Sequence, residues 1–450
     1  MASNASRRPK RALGGNPLVL SCHPGRAPGF PTPRRSEAPS KALEPVYDAL
    51  PVTPSDGTKP PPKVRPGFFA LEPLDNRFPM LHGLRVFGIL SVVQFHVTGV
   101  FAAEPGIVVD GDFRSTSLAV FFGMDLFFVL SGFLIGAILL RALELHGTQN
   151  LRRFYVRRIF RTFPSYYIVL AFLALVTKLT VDQKTHLPHE VCFLTNFLPL
   201  GRTTVVMMWG WSLALEEQFY LTVPLLFYVL WKLPSDRARL GALGLLWASA
   251  LLIRLVIYYR FAPWNDLALS RALYFKTYTR FDTLVCGIAL AFVHLRHGKK
   301  IASFLEDPLH RGLLSMTALS GLWILLRPDL FGPEHAQLMH VFAWGTVTSI
   351  MYFTGLLVLL NGTGIVVRLL SLSIFRRVAT LGYGIYLVHI PILDFAIVPI
   401  AKGLERRAVP MFVIWPLSLA LLMALSILVA YALHVLVEKP TLRVRERIAG

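Results

Sequence analysis

Charge is what this chain has least of. Only 16% of its 450 residues are Asp, Glu, Lys or Arg, whereas soluble domains carry about 25%. Acidic residues are the scarcest, 26 against 46 basic ones, which leaves a formal net charge of +20. With 54% hydrophobic residues and a mean hydropathy of +0.54, this shortage excludes an ordinary soluble protein. Cysteine is also rare. Cys22, Cys192 and Cys286 are scattered through a tail, a loop and an apolar run, and give neither a metal-ligand spacing nor a disulfide framework. No metal is expected. The basic excess lies in the N-terminal tail and in short loops between apolar runs, not on one soluble face. It is therefore read as setting topology and meeting anionic lipid or a phosphorylated ligand, with no nucleic-acid partner.

What the chain has in plenty is long apolar runs. They fall near 80–101, 116–140, 162–180, 213–232, 239–259, 279–296, 311–327, 338–360, 378–400 and 411–436, at lengths suited to membrane helices. The expected fold is all-α: a polytopic bundle of about ten transmembrane helices. Residues 191–211 are less regular, broken by Pro199-Leu200-Gly201, and read as re-entrant or interfacial. Residues 1–75 are rich in Pro, Arg and Ser, show no helix or strand period, and are expected to form a disordered basic cytoplasmic tail. Their one apolar run, Pro17–Leu20, is too short for a signal-peptide core. An even number of spans puts both termini on one side. The loops on that side, such as the one holding Arg152, Arg153, Arg157, Arg158 and Arg161, carry roughly twice the Lys and Arg of the opposite loops, which makes it the cytoplasmic side.

Ionisable residues inside apolar runs are the candidates for chemistry, because each is costly there without a purpose or a partner. In the first run, Arg85 and His96 are eleven positions apart, so they share a helix face about 16 Å apart along the axis. The second run, FFGMDLFFVLSGFLIG, holds Asp125 among phenylalanines, and Ser131-Gly132, where a backbone can approach closely. Arg158 and Arg161 are three apart and can grip a phosphate together. WGWSLALEEQFYL brings Glu216 and Glu217, which point about 100° apart on a helix, so only one is expected to face inward. Arg280 and Asp282 open the sixth run and could pair with each other. LGYGIYLVHIPI sets Tyr383, Tyr386 and His389 on one face, a stripe read as a polar pocket. Glu438-Lys439-Pro440 is read as the cap and stop of the last helix.

Taken together, the Arg85–His96 pair, DLFFVLSGFLIG, RRIFRTFPSYY, WSLALEEQFYL and LGYGIYLVHIPI resemble the integral-membrane acyltransferase family 3, over about residues 76–445. Members O-acylate surface polysaccharides, peptidoglycan and some small molecules. The resemblance implies a membrane-embedded acyltransferase domain, an acyl-coenzyme A co-substrate from the cytoplasm (acetyl-coenzyme A being the commonest), and a carbohydrate or small-molecule hydroxyl acceptor. It also implies the bacterial cytoplasmic membrane. Arg85 and His96 match the family's first-helix pair, Arg158 and Arg161 its arginine pair, Ser131 and Gly132 its serine–glycine step, and Glu216 its fourth-helix carboxylate. One departure stands out: the family's Asp-Gly-Leu-Arg is His82-Gly83-Leu84-Arg85 here, so Arg85 needs another neighbour. No appended soluble domain is expected after the last helix.

A thioester is already activated, so the catalyst must mainly deprotonate a hydroxyl and stabilise an oxyanion. His96 is expected to be the general base, oriented by Glu216 or Asp125, with Arg85, Arg158 and Arg161 on the coenzyme A phosphates and Ser131 and Gly132 close to the donor. Arg280, Asp282, Tyr383, Tyr386 and His389 are expected to line the substrate pocket. In a variant of this scheme His96 carries the acyl group transiently. The alternative from another class is a transporter or flippase for a lipid-linked or surface saccharide, its buried charges forming a translocation path. The internal repeats usual in such proteins are not visible in the sequence.

Overall fold

The computed structural model describes residue 71, residues 78–111, 113–114, 119–327, 332 and 335–449. The expected tail, residues 1–75, lies outside the described residues apart from Leu71. Every regular element among the described residues is helical. The long ones are α1 (Met80–Ala103), α2 (Gly123–His146), α3 (Leu151–Val176), the short α4 (Val181–Val191), α5 (Trp211–Trp231), α6 (Asp236–Arg260), α7 (Asp282–Glu306), α8 (Pro308–Leu326), α9 (Ala336–Leu360), α10 (Gly382–Glu405), α11 (Met411–Leu433) and a C-terminal α12 (Lys439–Ala449). Nine of the described helices are long and apolar enough to cross a membrane. The protein is a multi-pass membrane protein.

Of the ten expected spans, the sixth is the exception. Helix α7 has the length, but its second half, HLRHGKKIASFLE, is polar, so it is not among the nine. Its apolar half is enclosed by the bundle, with Thr283 to Ile288 all buried. Helix α2 crosses it at backbone distance. A Cβ added to Gly132 would meet the Leu284 carbonyl, and one added to Gly287 would meet the Val129 carbonyl, so this crossing exists because neither residue has a side chain.

Helix α3 begins eleven residues before the expected run. Its first half is the arginine cluster, which composition alone marks as a loop. Arginine is a good helix former whose apolar stem can lie on the helix while the guanidinium reaches outward, and Asn150 caps the start by accepting from the Arg153 N–H at 2.9 Å. At the far end, Pro440 does not stop the chain. A π-turn at His434–Glu438 carries α11 directly into α12, with Pro440 at the start of the new helix, where a missing N–H costs little.

Between α3 and α5, α4 is followed over residues 192–210 by irregular backbone with two short 3-10 turns, where the less regular stretch was expected. This backbone is tied by Glu190, whose carboxylate accepts the Val206 and Met207 N–H groups at 2.6 and 2.8 Å. Burial holds that carboxyl above its ordinary range, and the two N–H donors work against the shift. The two largest of five apolar clusters form the main cores. One joins α1, α3, α10 and α11, the other α2, α5, α6 and α7. Leucines such as Leu175, Leu225 and Leu245 stay exposed on the outside, as a lipid-facing surface requires. Phe127 and Tyr386 pack against both cores, and the polar site lies along this seam.

Candidate active site

A cavity of about 160 Å³ opens between the two cores. Helix α1 supplies Arg85, α2 Ser131, α3 Arg158, Arg161 and Thr162, α5 Ser212, Glu216 and Tyr220, and α10 Tyr383 and Tyr386. The rest of the lining is largely apolar, with Met124, Phe127, Phe128 and Leu213 among it. Three guanidiniums therefore face one carboxylate in a largely apolar enclosure, where a fixed positive charge attracts an anion far more strongly than in water. The Arg158 guanidinium sits over the Tyr220 ring at 5.5 Å, and its buried Nε has no hydrogen-bond partner among the described residues. Of the adjacent glutamates, Glu216 faces the cavity and Glu217 does not line it.

Hydroxyl groups fix the walls. Ser131 Oγ and Tyr220 Oη are 3.0 Å apart, and Tyr383 donates to the Thr162 carbonyl at 2.7 Å. Tyr386 donates to the Trp209 carbonyl at 2.6 Å and lies 2.5 Å from Ser212 Oγ. Ser212, Tyr220 and Thr162 were not singled out from the sequence. Tyr220 was within reach, since it falls four residues after Glu216 on the same helix face; serines and threonines in apolar runs carry no comparable signal.

His96 and His389 are not in the cavity lining. They meet one layer behind Tyr386. His389 is fully buried, with Nδ1 2.7 Å from the Tyr386 carbonyl oxygen and Nε2 3.0 Å from His96 Nδ1. The His96 ring is half-buried, with Phe95 edge-on to it at 5.6 Å. The expected orientation of His96 by a carboxylate is thus corrected: the ring in contact with it belongs to His389, and Asp125 is engaged elsewhere.

Asp125 and Arg280 form a fully buried ion pair at 2.6 Å, and Arg254 pairs with Asp282 at 2.8 Å. Arg254 also donates to Thr346 Oγ1 at 2.7 Å and to the carbonyls of Val341 and Thr279 at 2.9 and 2.5 Å. Arg280 and Asp282 therefore do not pair with each other, and neither lines the cavity; each is held by a residue on another helix. Gly132 likewise serves the α2–α7 crossing, while its neighbour Ser131 faces the cavity. Among the described residues no group of three or more His, Cys, Asp or Glu could hold a metal ion.

These features define a multi-pass membrane protein with a basic cavity and a histidine pair buried at the seam of its helices. Residues 79–435 match the family model described as an acyltransferase domain, and the chain belongs to that family, acyltransferase family 3. It is similar to YrhL of Bacillus subtilis (strain 168), provisionally named a peptidoglycan O-acetyltransferase, at 29% identity over 70% of this chain and 48% of YrhL. It is also similar to the peptidoglycan O-acetyltransferase OatA of Listeria monocytogenes, at 26% identity over 70% of this chain and 49% of OatA. The chain spans about half the length of these curated relatives. No solved structure gives a significant match.

Proposed function

We propose that this protein moves an acetyl group from acetyl-coenzyme A to a hydroxyl of a carbohydrate acceptor, with His96 as general base. The observation that carries the reading is the arginine-rich cavity abutting, through Tyr386, a histidine pair on the same flank of α1. Coenzyme A is rich in phosphate, and the planar donors of Arg85, Arg158 and Arg161 suit phosphate oxygens. From Arg85 the helix rises about 16 Å to His96, a course along which an extended pantetheine arm can lie. Movement of the Tyr386 side chain would open the last step to the histidines.

In the transfer, the acceptor oxygen attacks the thioester carbonyl carbon as its proton passes to a His96 ring nitrogen. The tetrahedral oxyanion then collapses, the C–S bond breaks, and the thiolate leaves and takes up the proton. His96 is only half-buried, and an acceptor hydroxyl would have to reach its ring there. The names of the relatives favour peptidoglycan as that acceptor. The charge of the loops favours both termini and the donor on the cytoplasmic side, and the bacterial relatives favour a bacterial cytoplasmic membrane.

The test is acetyl transfer by purified protein in liposomes, followed as thiol release and acetylated glycan. His96→Ala is expected to lower transfer by about 10²-fold or more at unchanged thermal stability. Full transfer by the folded variant would overturn the assignment of His96.

A further inference from the structure

We infer that His389 is a positioning residue that fixes the tautomer of His96, leaving His96 Nε2 as the bare, proton-accepting nitrogen. This rests on the reading of His96 as the base. A carbonyl oxygen can only accept, so the 2.7 Å contact with the Tyr386 carbonyl requires His389 Nδ1 to carry a hydrogen. In a neutral imidazole the other nitrogen is then an acceptor. His389 Nε2 must therefore receive its hydrogen bond from His96, which puts the hydrogen of His96 on Nδ1, 3.0 Å away. Only His96 Nε2 is left with a lone pair.

The alternative, a doubly protonated His389, would bury an imidazolium with no carboxylate hydrogen-bonded to either ring, and burying an unpaired charge is expensive. The carbonyl that starts the chain is itself held in place. It belongs to Tyr386, three residues earlier on the same helix, whose hydroxyl is tied to the Trp209 carbonyl and to Ser212 on the far wall of the cavity. The residue that lines the cavity thus helps, together with the Ile385 carbonyl, to set the protonation pattern of the ring behind it. Hydrogen bonding to the second nitrogen is the usual means by which a protein selects a histidine tautomer; here an imidazole takes the part that a carboxylate plays elsewhere.

The tautomer can be read directly. In protein labelled with 15N-histidine, with the His96 signals assigned by their loss in His96→Gln, the account predicts a protonated Nδ1 and a bare Nε2 at His96. A His96 protonated on Nε2 would overturn the inference on its own. His389→Phe, which removes the imidazole acceptor and leaves His96 only the Val92 carbonyl one turn earlier on its own helix, is expected to weaken the Nδ1–H preference and to lower kcat about 10–100-fold, with KM for acetyl-coenzyme A little changed. His389→Gln, whose side-chain oxygen can take the place of Nε2, is expected to restore both the preference and most of kcat. Wild-type kcat with an unchanged His96 signal in His389→Phe would equally overturn it. Full transfer by His96→Ala, by contrast, would overturn the underlying reading and leave the tautomer assignment standing.

Discussion

Arg85, Arg158 and Arg161 share the cavity with only one carboxylate, Glu216, so their charge is left mainly for a ligand. Arg158 leans on the Tyr220 and Phe154 rings and keeps an unpartnered Nε. Arg158→Ala is expected to raise KM for acetyl-coenzyme A roughly tenfold or more, from the loss of a charge-assisted contact, with a smaller effect on kcat. Arg158→Lys should recover only part, because an ammonium cannot reproduce the planar fork; initial-rate kinetics on the three proteins check this. Arg85 and Glu216 could be found from the sequence because each is an ionisable residue on a definable face of an apolar run, and Arg158 and Arg161 because their three-residue spacing puts both on one side of a helical turn. The partnership of His96 could not be found that way. It joins residues 293 positions apart, and spacing says nothing about which helices touch. The same holds for Asp125, whose role as the partner of Arg280 is decided by the approach of α7 to α2.

Helices α2 and α7 touch through Gly132 and Gly287, and the Asp125–Arg280 pair sits on the same two sides of the contact. Gly287→Leu would drive a side chain into the Val129 carbonyl, and is expected to lower the unfolding temperature in detergent and to impair transfer by shifting Ser131. Asp125→Asn strands a fully buried guanidinium, at a cost of about 3–5 kcal/mol. The double variant Asp125→Asn with Arg280→Met should recover much of that loss; thermal unfolding of the single and double variants measures both. Existence and order of the helices were legible from hydropathy, which is why most of the expected runs coincide with helices. Their ends were not. The start of α3 hides in a run of arginines, and the chain passes from α11 through a π-turn into α12 at Glu438-Lys439-Pro440, which reads as a stop. Local composition reports solubility in lipid, whereas helix ends are decided by capping and by packing against neighbours.

At the scale of the whole molecule, the seam between two helical cores joins a basic cavity to a histidine pair, an arrangement suited to a phosphate-bearing donor on one side and a hydroxyl acceptor on the other. A transporter with the same buried charges would move its cargo without breaking a covalent bond. The measurement that separates these directly is the release of free thiol from acetyl-coenzyme A by purified protein in liposomes, supplied with a peptidoglycan fragment and followed together with acetate on the glycan. The account predicts thiol and glycan ester appearing in equal amounts, both lost in His96→Ala. Movement of glycan across the bilayer with acetyl-coenzyme A left intact would contradict it.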